Sequence, residues 1–364
     1  MDNMSNVTNE TANYDTNRIT AAVTIVHIIV GTLSVVGNGL VILVAVRSYR
    51  KMNQFKWLIV HLAFCDLLFA LLILMDLPQW ISGKWIYGRV LCKVIPPFLL
   101  LSGLAAEGSI IVIACERYRG INNPLAKRWS IKHIILALLM NWVLSFLSIS
   151  PYINAMSYYI DHDNSTQCVE TWGKDIEEHE RNSIAYTLFL LVGSFVIPMT
   201  IIGVLYGKII YILRHPKEVS GDEQTCLQMK RRRKKDIRVT KLLVSVIIAF
   251  VICVLPNHLG SLIQFMFPLS PTSFTVVVYI TLIPYPFHCA VNPIIYSIVD
   301  DKFRRDIKAV FCCHKKTLKR KNFSVIYHTR ASERQFIAQA YPTFSTWFRR
   351  FSVDRGRSSS SLIM

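Results

Sequence analysis

The chain has 364 residues, of which 18% are charged, against about 25% in a typical soluble domain. Its 52% hydrophobic content falls in long uncharged runs, which excludes intrinsic disorder and argues against an ordinary soluble enzyme. A net charge of +18 fits a nucleic-acid-binding protein only where basic and aromatic residues share a folded surface.

In chain order, residues 1–20 are polar, include Asp2, Glu10 and Asp15, and lack the basic start and short apolar core of a cleavable signal peptide. They read as an extracellular N-terminus glycosylated at the sequons Asn3, Asn6 and Asn9. A helix needs about 20 apolar residues to cross a bilayer. Seven stretches qualify: 21–46, 57–77, 91–114, 131–152, 184–213, 237–267 and 273–299. The second is short because Asp76 and Pro78 close it, and Pro198 and Pro256 are expected to break the fifth and sixth. No stretch shows the period-two alternation of a membrane β-barrel. The expected fold is an all-α membrane protein, a seven-transmembrane helix bundle over residues 21–299.

Orientation follows from the basic residues. With the N-terminus outside, Arg47, Arg50, Lys51 and Lys56 lie in the first inner loop, and Arg117, Arg119, Lys127, Arg128 and Lys132 in the second. The third carries Lys230-Arg231-Arg232-Arg233-Lys234-Lys235, and the tail after Val299 is basic throughout. In all, 35 of 41 basic residues then face the cytoplasm, which makes +18 a topology signal and not a nucleic-acid footprint. The six-residue run fits either anionic lipid headgroups or a solvated helix extension. The loop between the fourth and fifth spans has the opposite sign. It holds Asp161, Asp163, Glu170, Asp175, Glu177, Glu178 and Glu180 against Lys174 and Arg181. Such a loop can draw in a basic ligand, or simply keep a long loop soluble.

Nine cysteines cannot form an even disulfide framework. Cys65, Cys115, Cys253 and Cys289 lie within spans as small apolar residues, and Cys226 reads as a free thiol. Cys92 opens the third span on the outer side, and Cys168 is the cysteine of the second outer loop, so a bridge between them is expected in an oxidising compartment. That loop also carries the sequon at Asn164. Cys312 and Cys313 follow the last span at a juxtamembrane position suited to palmitoylation.

Charged side chains at bilayer depth usually mark function. Asp66 sits midway along the second span, with Asn38 and Asn292 as its partners from the first and seventh. An oxygen-lined cluster of this kind can hold a sodium ion or a proton, or clamp the helices by hydrogen bonds. Glu107 lies deep in the third span, and Glu116-Arg117-Tyr118 ends it. An adjacent Glu–Arg pair there can lock the helix end until a partner protein displaces it, or Arg117 can merely snorkel to the interface. Pro293 in Asn292-Pro293-Ile294-Ile295-Tyr296 bends the seventh span, which suits a hinged switch better than a rigid pore.

Taken together these residues resemble the rhodopsin-like (class A) G-protein-coupled receptors over about residues 20–313, most of all the neuropeptide receptors. The landmarks are Gly37-Asn38, Asp66, Glu116-Arg117-Tyr118, Trp142, Pro198, Tyr206, Phe250, Pro256 and Asn292-Pro293-x-x-Tyr296, in order on seven spans. The resemblance implies that Arg117, Tyr206 and Tyr296 rearrange on activation and open a cytoplasmic cleft for a heterotrimeric G protein. It implies an allosteric sodium site of Asp66, Asn38 and Asn292 and no other cofactor. It also implies a short amphipathic eighth helix over 300–313, with Phe303 and Phe311 toward lipid. Three departures stand out. Val254 replaces the tryptophan usual in the sixth span, Ala106 replaces the serine that completes the sodium shell, and Glu107 replaces the aliphatic residue that packs against Pro198 and Phe250.

The resemblance narrows the ligand as well. Leu99 stands where amine receptors carry their aspartate, and Pro286 where opsins carry the retinal-binding lysine. Trp85-Ile86-Tyr87-Gly88 is similar to the family's Trp-x-Phe-Gly element. A basic, amidated neuropeptide is the expected ligand, with a non-peptide small molecule or lipid as the alternative. The expected pocket comprises Asp76, Gln79, Leu99, Asn257, His258, Ser261, Gln264 and Tyr285, with Asp76 pairing a guanidinium unless it only caps the second span beside Pro78. Residues 314–364 read as a disordered cytoplasmic tail whose Ser358–Ser361 run suits a receptor kinase and arrestin, or is simply solvated. A transporter would need internal repeats, which are not visible, and an enzyme would need a nucleophile–base set or metal-ligand spacing; neither reading is preferred. The expected location is the plasma membrane, as a multi-pass protein with an extracellular N-terminus.

Overall fold

The fold follows from how apolar helices solve the backbone's need for hydrogen bonds in a medium without water. In this computed structural model, residues 2–47, 54–123, 129–161, 164–216, 223–267, 270–299 and 303–307 are described. The chain divides into a unit of residues 1–312 and one of 313–364, and the second lies outside the described residues, as do Cys312 and Phe311.

Helices α1 (Asp2–Arg47), α2 (Gln54–Ser82), α3 (Gly88–Cys92), α4 (Ile95–Asn122) and α5 (Ile131–Ala155) form the first half. Strands β1 (Met156–Ile160) and β2 (Thr166–Glu170) follow, then α6 (Ile176–Leu190), a π-helical turn at Leu191–Val196, and α7 (Ile197–Arg214). Helices α8 (Glu223–Met266), α9 (Pro271–Leu282) and α10 (Phe287–Val299) complete the bundle. The packed pairs α1–α2, α2–α4, α4–α7, α7–α8, α8–α10 and α10–α1 close a ring, and α5 lies against α4.

Six helical segments are long and apolar enough to cross a bilayer, the first of them Thr20–Arg47. The seventh crossing is made of two shorter helices, α9 and α10. Pro284 and Pro286 lack the amide donors an unbroken helix would need, so the chain turns at 283–286 with Phe287 N–H donating to the Pro284 carbonyl at 3.1 Å. On α5, Leu136, Leu139, Met140, Val143, Leu144 and Leu147 form one apolar face that is more than half exposed, as a lipid-facing helix requires. The interior packs Leu58, Leu62, Cys65, Ala105, Ile113, Ile202, Tyr206, Val246, Phe250 and Val254 into a single cluster.

Several expectations are corrected. The second span does not close at Asp76 and Pro78: α2 runs through Pro78 to Ser82, whose hydroxyl donates to the Pro78 carbonyl at 2.6 Å. Pro256 does not break α8, whereas a π-helical turn immediately precedes Pro198. The Lys230–Lys235 run, by contrast, follows one of its two expected readings, since it is an exposed extension of α8. Residues 303–307 are helical, but Phe303 turns inward, packing on the core with its ring 6.1 Å from that of Tyr296, instead of facing lipid. The bundle itself is all-α as expected, and the connection between α5 and α6 adds a short hairpin in which β1 and β2 pair antiparallel from Met156↔Glu170 to Ile160↔Thr166. Asn164 takes φ 60° in the hairpin turn, a conformation asparagine tolerates.

Close helix contact depends on Gly108. A Cβ there would collide with the Asn141 side chain, whose amide donates to the Ala105 carbonyl at 2.8 Å and ties α5 to α4. Gly108→Ala should cost about 1–3 kcal/mol of stability through overpacking. The check is the melting temperature of the purified protein in detergent, compared with Gly39→Ala, where nothing lies within 4 Å of the added carbon.

Candidate functional site

Three polar assemblies lie along the bundle. At one end the hairpin is stitched to the turn after α2. Trp85 N–H donates to the Thr166 carbonyl at 2.7 Å, the Thr166 hydroxyl returns a bond to the Trp85 carbonyl at 2.5 Å, and Gln167 donates to the Gly83 carbonyl at 3.0 Å. Gln79 donates to the Cys168 carbonyl at 3.1 Å, and a Cys92–Cys168 disulfide joins β2 to the end of α3. Trp85, 1% exposed, fills the space beneath and spends its indole N–H on the Gly88 carbonyl at 2.8 Å.

Below this end lies a cavity of about 100 Å³, room for a side-chain-sized group. Of the eight sequence-chosen residues, Asn257, His258, Ser261 and Tyr285 line it. Asp76, Gln79, Leu99 and Gln264 do not. Asp76 accepts instead from Trp80 Nε1 at 2.9 Å, and Leu99 packs near Cys92 and Phe69. Gln79 is committed to the hairpin. The rest of the lining is Leu100, Leu104 and Glu107 from α4, with Thr187, Leu190 and Ser194 from the fifth span. Sequence reasoning noted Glu107 without assigning it to the pocket. The i, i+4, i+7 spacing of Leu100, Leu104 and Glu107 placed all three on one helix face and was the available signal. Glu107 is 5% exposed, and its Oε2 has no hydrogen-bond partner among the described residues; nor has His258 Nε2.

The second assembly crosses the middle. Asn292 Nδ2 donates to Asp66 Oδ2 at 2.7 Å, joining α10 to α2, and Asn38 Nδ2 donates to the Cys289 carbonyl at 2.9 Å, joining α1 to α10. Asp66 Oδ1 and Asn38 Oδ1 remain without partners among the described residues, and both are buried. Two orphaned hard oxygens are the donor type a monovalent cation takes, so these residues fit a sodium ion. Ala106 contributes no side-chain oxygen to such a shell. Beside this seam, Trp142 Nε1 donates to His61 Nε2 at 2.8 Å, and His61 Nδ1 lies 2.9 Å from Ser109 Oγ. The Ser109 hydroxyl donates to the Ala105 carbonyl at 2.6 Å, so His61 is the donor to Ser109. One chain of hydrogen bonds thereby braces α2, α4 and α5.

At the far end, Arg117 Nε and Nη2 both reach Glu116 Oε2, at 2.6 and 2.5 Å, and the guanidinium lies 4.0 Å over the Phe55 ring. Tyr206, Tyr296 and Phe250 are buried nearby in the core, and the Tyr296 hydroxyl has no partner among the described residues. Tyr118 lies under Lys208 Nζ at 5.9 Å. Pro256 and Pro293 sit inside α8 and α10.

Comparison with known proteins gives this arrangement a family. The family described as "7 transmembrane receptor (rhodopsin family)" matches residues 37–296. The chain is 30% identical to galanin receptor 2b of Danio rerio over 84% of its own length and 79% of that protein's. It is 30% identical to neuropeptide Y receptor type 4 of Mus musculus, over 78% of this chain and 77% of that one. The crystal structure of squid rhodopsin superposes with a TM-score of 0.63 at 20% identity, covering 81% of this chain and 85% of that chain, which shows the shared fold.

Asn292→Ala would strip Asp66 Oδ2 of its donor and leave both carboxyl oxygens unpaired in the interior. The expected cost is about 1–3 kcal/mol, read as a lower melting temperature in detergent. Unchanged stability would show that the seam does not hold α10 to α2.

Proposed function

Because this chain belongs to the rhodopsin family of seven-transmembrane receptors, we propose that it binds an extracellular basic, amidated peptide and activates a heterotrimeric G protein from the plasma membrane. The observation that carries this reading is the pairing of a hairpin-anchored cavity at one end of the bundle with the Glu116–Arg117 lock at the other. The N-terminus and hairpin are extracellular in this reading, which puts Asn3, Asn6, Asn9 and Asn164 where N-glycosylation occurs and Lys230–Lys235 in the cytoplasm. Galanin and neuropeptide Y receptors are named for peptide ligands, and the acid-rich second outer loop complements a basic one. The pocket reading moves with the geometry: Asn257, His258, Ser261 and Tyr285 contact the ligand with Glu107, while Gln79 holds the hairpin and Asp76 stays beside Trp80.

Occupancy of the cavity acts on α4, α8 and the α9–α10 turn together. Pro293 and the turn at 283–286 supply hinges, and Asn292 changes partners as α10 moves. Asp66 and Asn38 would hold a sodium ion, which would supply a positive charge between their unpartnered oxygens. Release of Arg117 from Glu116 frees the guanidinium for the G protein. Cys312 and Cys313 would carry palmitoyl groups, the tail would meet a receptor kinase and arrestin, and the basic run on α8 would face anionic lipid.

Two measurements check this. Membranes carrying the chain with a promiscuous Gα subunit should show nucleotide exchange that rises with concentration for some member of a panel of amidated basic peptides. A response confined to lipids or non-peptide compounds would replace the peptide reading. Separately, Glu116→Gln removes the ionic half of a hydrogen bond worth about 1.5–3 kcal/mol. Basal exchange should rise several-fold, and an unchanged basal rate would mean that the pair is not a lock.

A further inference from the structure

Glu107 is a carboxyl group at the floor of a cavity in the bundle, and the resting structure leaves its Oε2 without a partner among the described residues. Leaving a buried carboxyl oxygen unpaired is costly, and such groups are normally either paired or poised for a ligand. Ser194 is a side-chain hydrogen-bond partner of the Glu107 carboxyl group, and its hydroxyl also meets the Leu190 carbonyl at 2.7 Å, which still leaves Oε2 unmatched among the described residues. The Ser261 hydroxyl donates to the Asn257 carbonyl at 2.9 Å. Neither a lysine nor an arginine is among the residues that line the cavity. A second unpartnered atom, His258 Nε2, lines the same space from α8. Two orphaned polar atoms, one on α4 and one on α8, thus share one cavity that Leu104 and Tyr285 also line.

We propose that Glu107 and His258 form a deep subsite for an amidinium or guanidinium group, the end of a ligand that inserts between α4 and α8. The chemistry is specific. A planar forked cation offers several N–H donors at fixed angles, so one nitrogen can donate to Glu107 Oε2 while the other donates to His258 Nε2. An ammonium is a point donor and satisfies the two less well. This deepens the peptide-receptor reading and rests on it, since it names what the basic residue of the ligand reaches. It moves the counter-ion from Asp76, near the end of α2, to the interior of α4.

Benzamidine is the probe, and benzamide is its neutral isostere. On the purified full-length protein in detergent, benzamidine should raise the melting temperature saturably by about 2–4 °C and benzamide should not. Glu107→Gln should reduce the benzamidine shift to the benzamide level. Equal shifts from the two compounds, or a full benzamidine shift in Glu107→Gln, would overturn the proposal. Should Glu107→Gln fail to fold, Leu104→Trp fills the cavity from its wall and must abolish the shift; a shift that persists overturns the proposal equally. Nucleotide exchange on the wild-type chain separates the two levels of inference. A peptide response without benzamidine binding defeats the subsite alone, and no response to any ligand defeats the receptor reading.

Discussion

Helices that are apolar toward both the lipid and each other receive little guidance from the hydrophobic effect about which neighbour to choose, because the lipid is as apolar as a leucine. Here the choice is made by a few hydrogen bonds. Asn292 to Asp66 fixes α10 on α2, and Asn38 to the Cys289 carbonyl fixes α1 on α10. The Trp142–His61–Ser109–Ala105 chain fixes α5 and α2 on α4. Apart from Ser109 to Ala105, which lies within α4, each bond joins helices whose contact is otherwise generic packing, so sliding any one by a turn would strand polar groups in the interior. The same seam is incompletely satisfied at Asp66 Oδ1 and Asn38 Oδ1. An interior that is pinned yet still holds unpaired oxygens is one in which partners can be exchanged.

Between the cavity and this seam lies an aromatic group centred on His288. Its ring is 4.7 Å from Phe69, 5.1 Å from Tyr285 and 6.0 Å from Phe250. Tyr285 lines the cavity and Phe250 belongs to the core that includes Tyr206 and Tyr296. Val254, fully buried where the family usually places tryptophan, offers no ring to strike. The aromatic group beneath the cavity therefore centres on His288 of α10, directly after the 283–286 turn, with Phe250 of α8 at its edge. That turn lacks two helical amides, and α10 lacks one more at Pro293, so both are points where the helical hydrogen-bond ladder is interrupted. The contiguity of these side chains from the cavity to the core is physical.

The spans were legible because a run of some twenty uncharged apolar residues has few other uses, and six of them correspond to single helical segments. The seventh was legible as hydrophobicity but not as geometry: its composition is continuous, and only Pro284 and Pro286 signal the interruption. The hairpin escaped notice because Met156–Ile160 is a five-residue strand and gains its stability from Trp85, Gln79 and the Cys92–Cys168 link, all distant in sequence. Pocket residues were half legible for a related reason. Depth along a helix can be counted from its end, which found Asn257, His258, Ser261 and Tyr285, but which way a side chain points depends on the helix's rotation. Asp76 and Gln79 sit at the right depth and face elsewhere. Phe303 was misassigned because an amphipathic pattern does not say whether its apolar side meets lipid or the end of α10.

Electrostatics give the last step. Hairpin residues Asp161 and Glu170 lie within the acidic segment that continues through Asp175, Glu177, Glu178 and Glu180 at the start of α6. Glu170 is already engaged by the Trp172 indole, and Glu178 by the Lys174 backbone, so part of this charge is structural. Asp175 is spent on capping α6 through the Glu178 N–H. What remains is a diffuse field, strong enough to concentrate cations near the entrance but too hydrated and too occupied to discriminate among them. Selectivity must then be exercised where water is excluded, and within the cavity lining the carboxyl group is that of Glu107. In the proposed peptide reading, capture and recognition thus fall to different carboxylates at different depths, which is why a count of surface acids describes the approach of a ligand and says little about its identity.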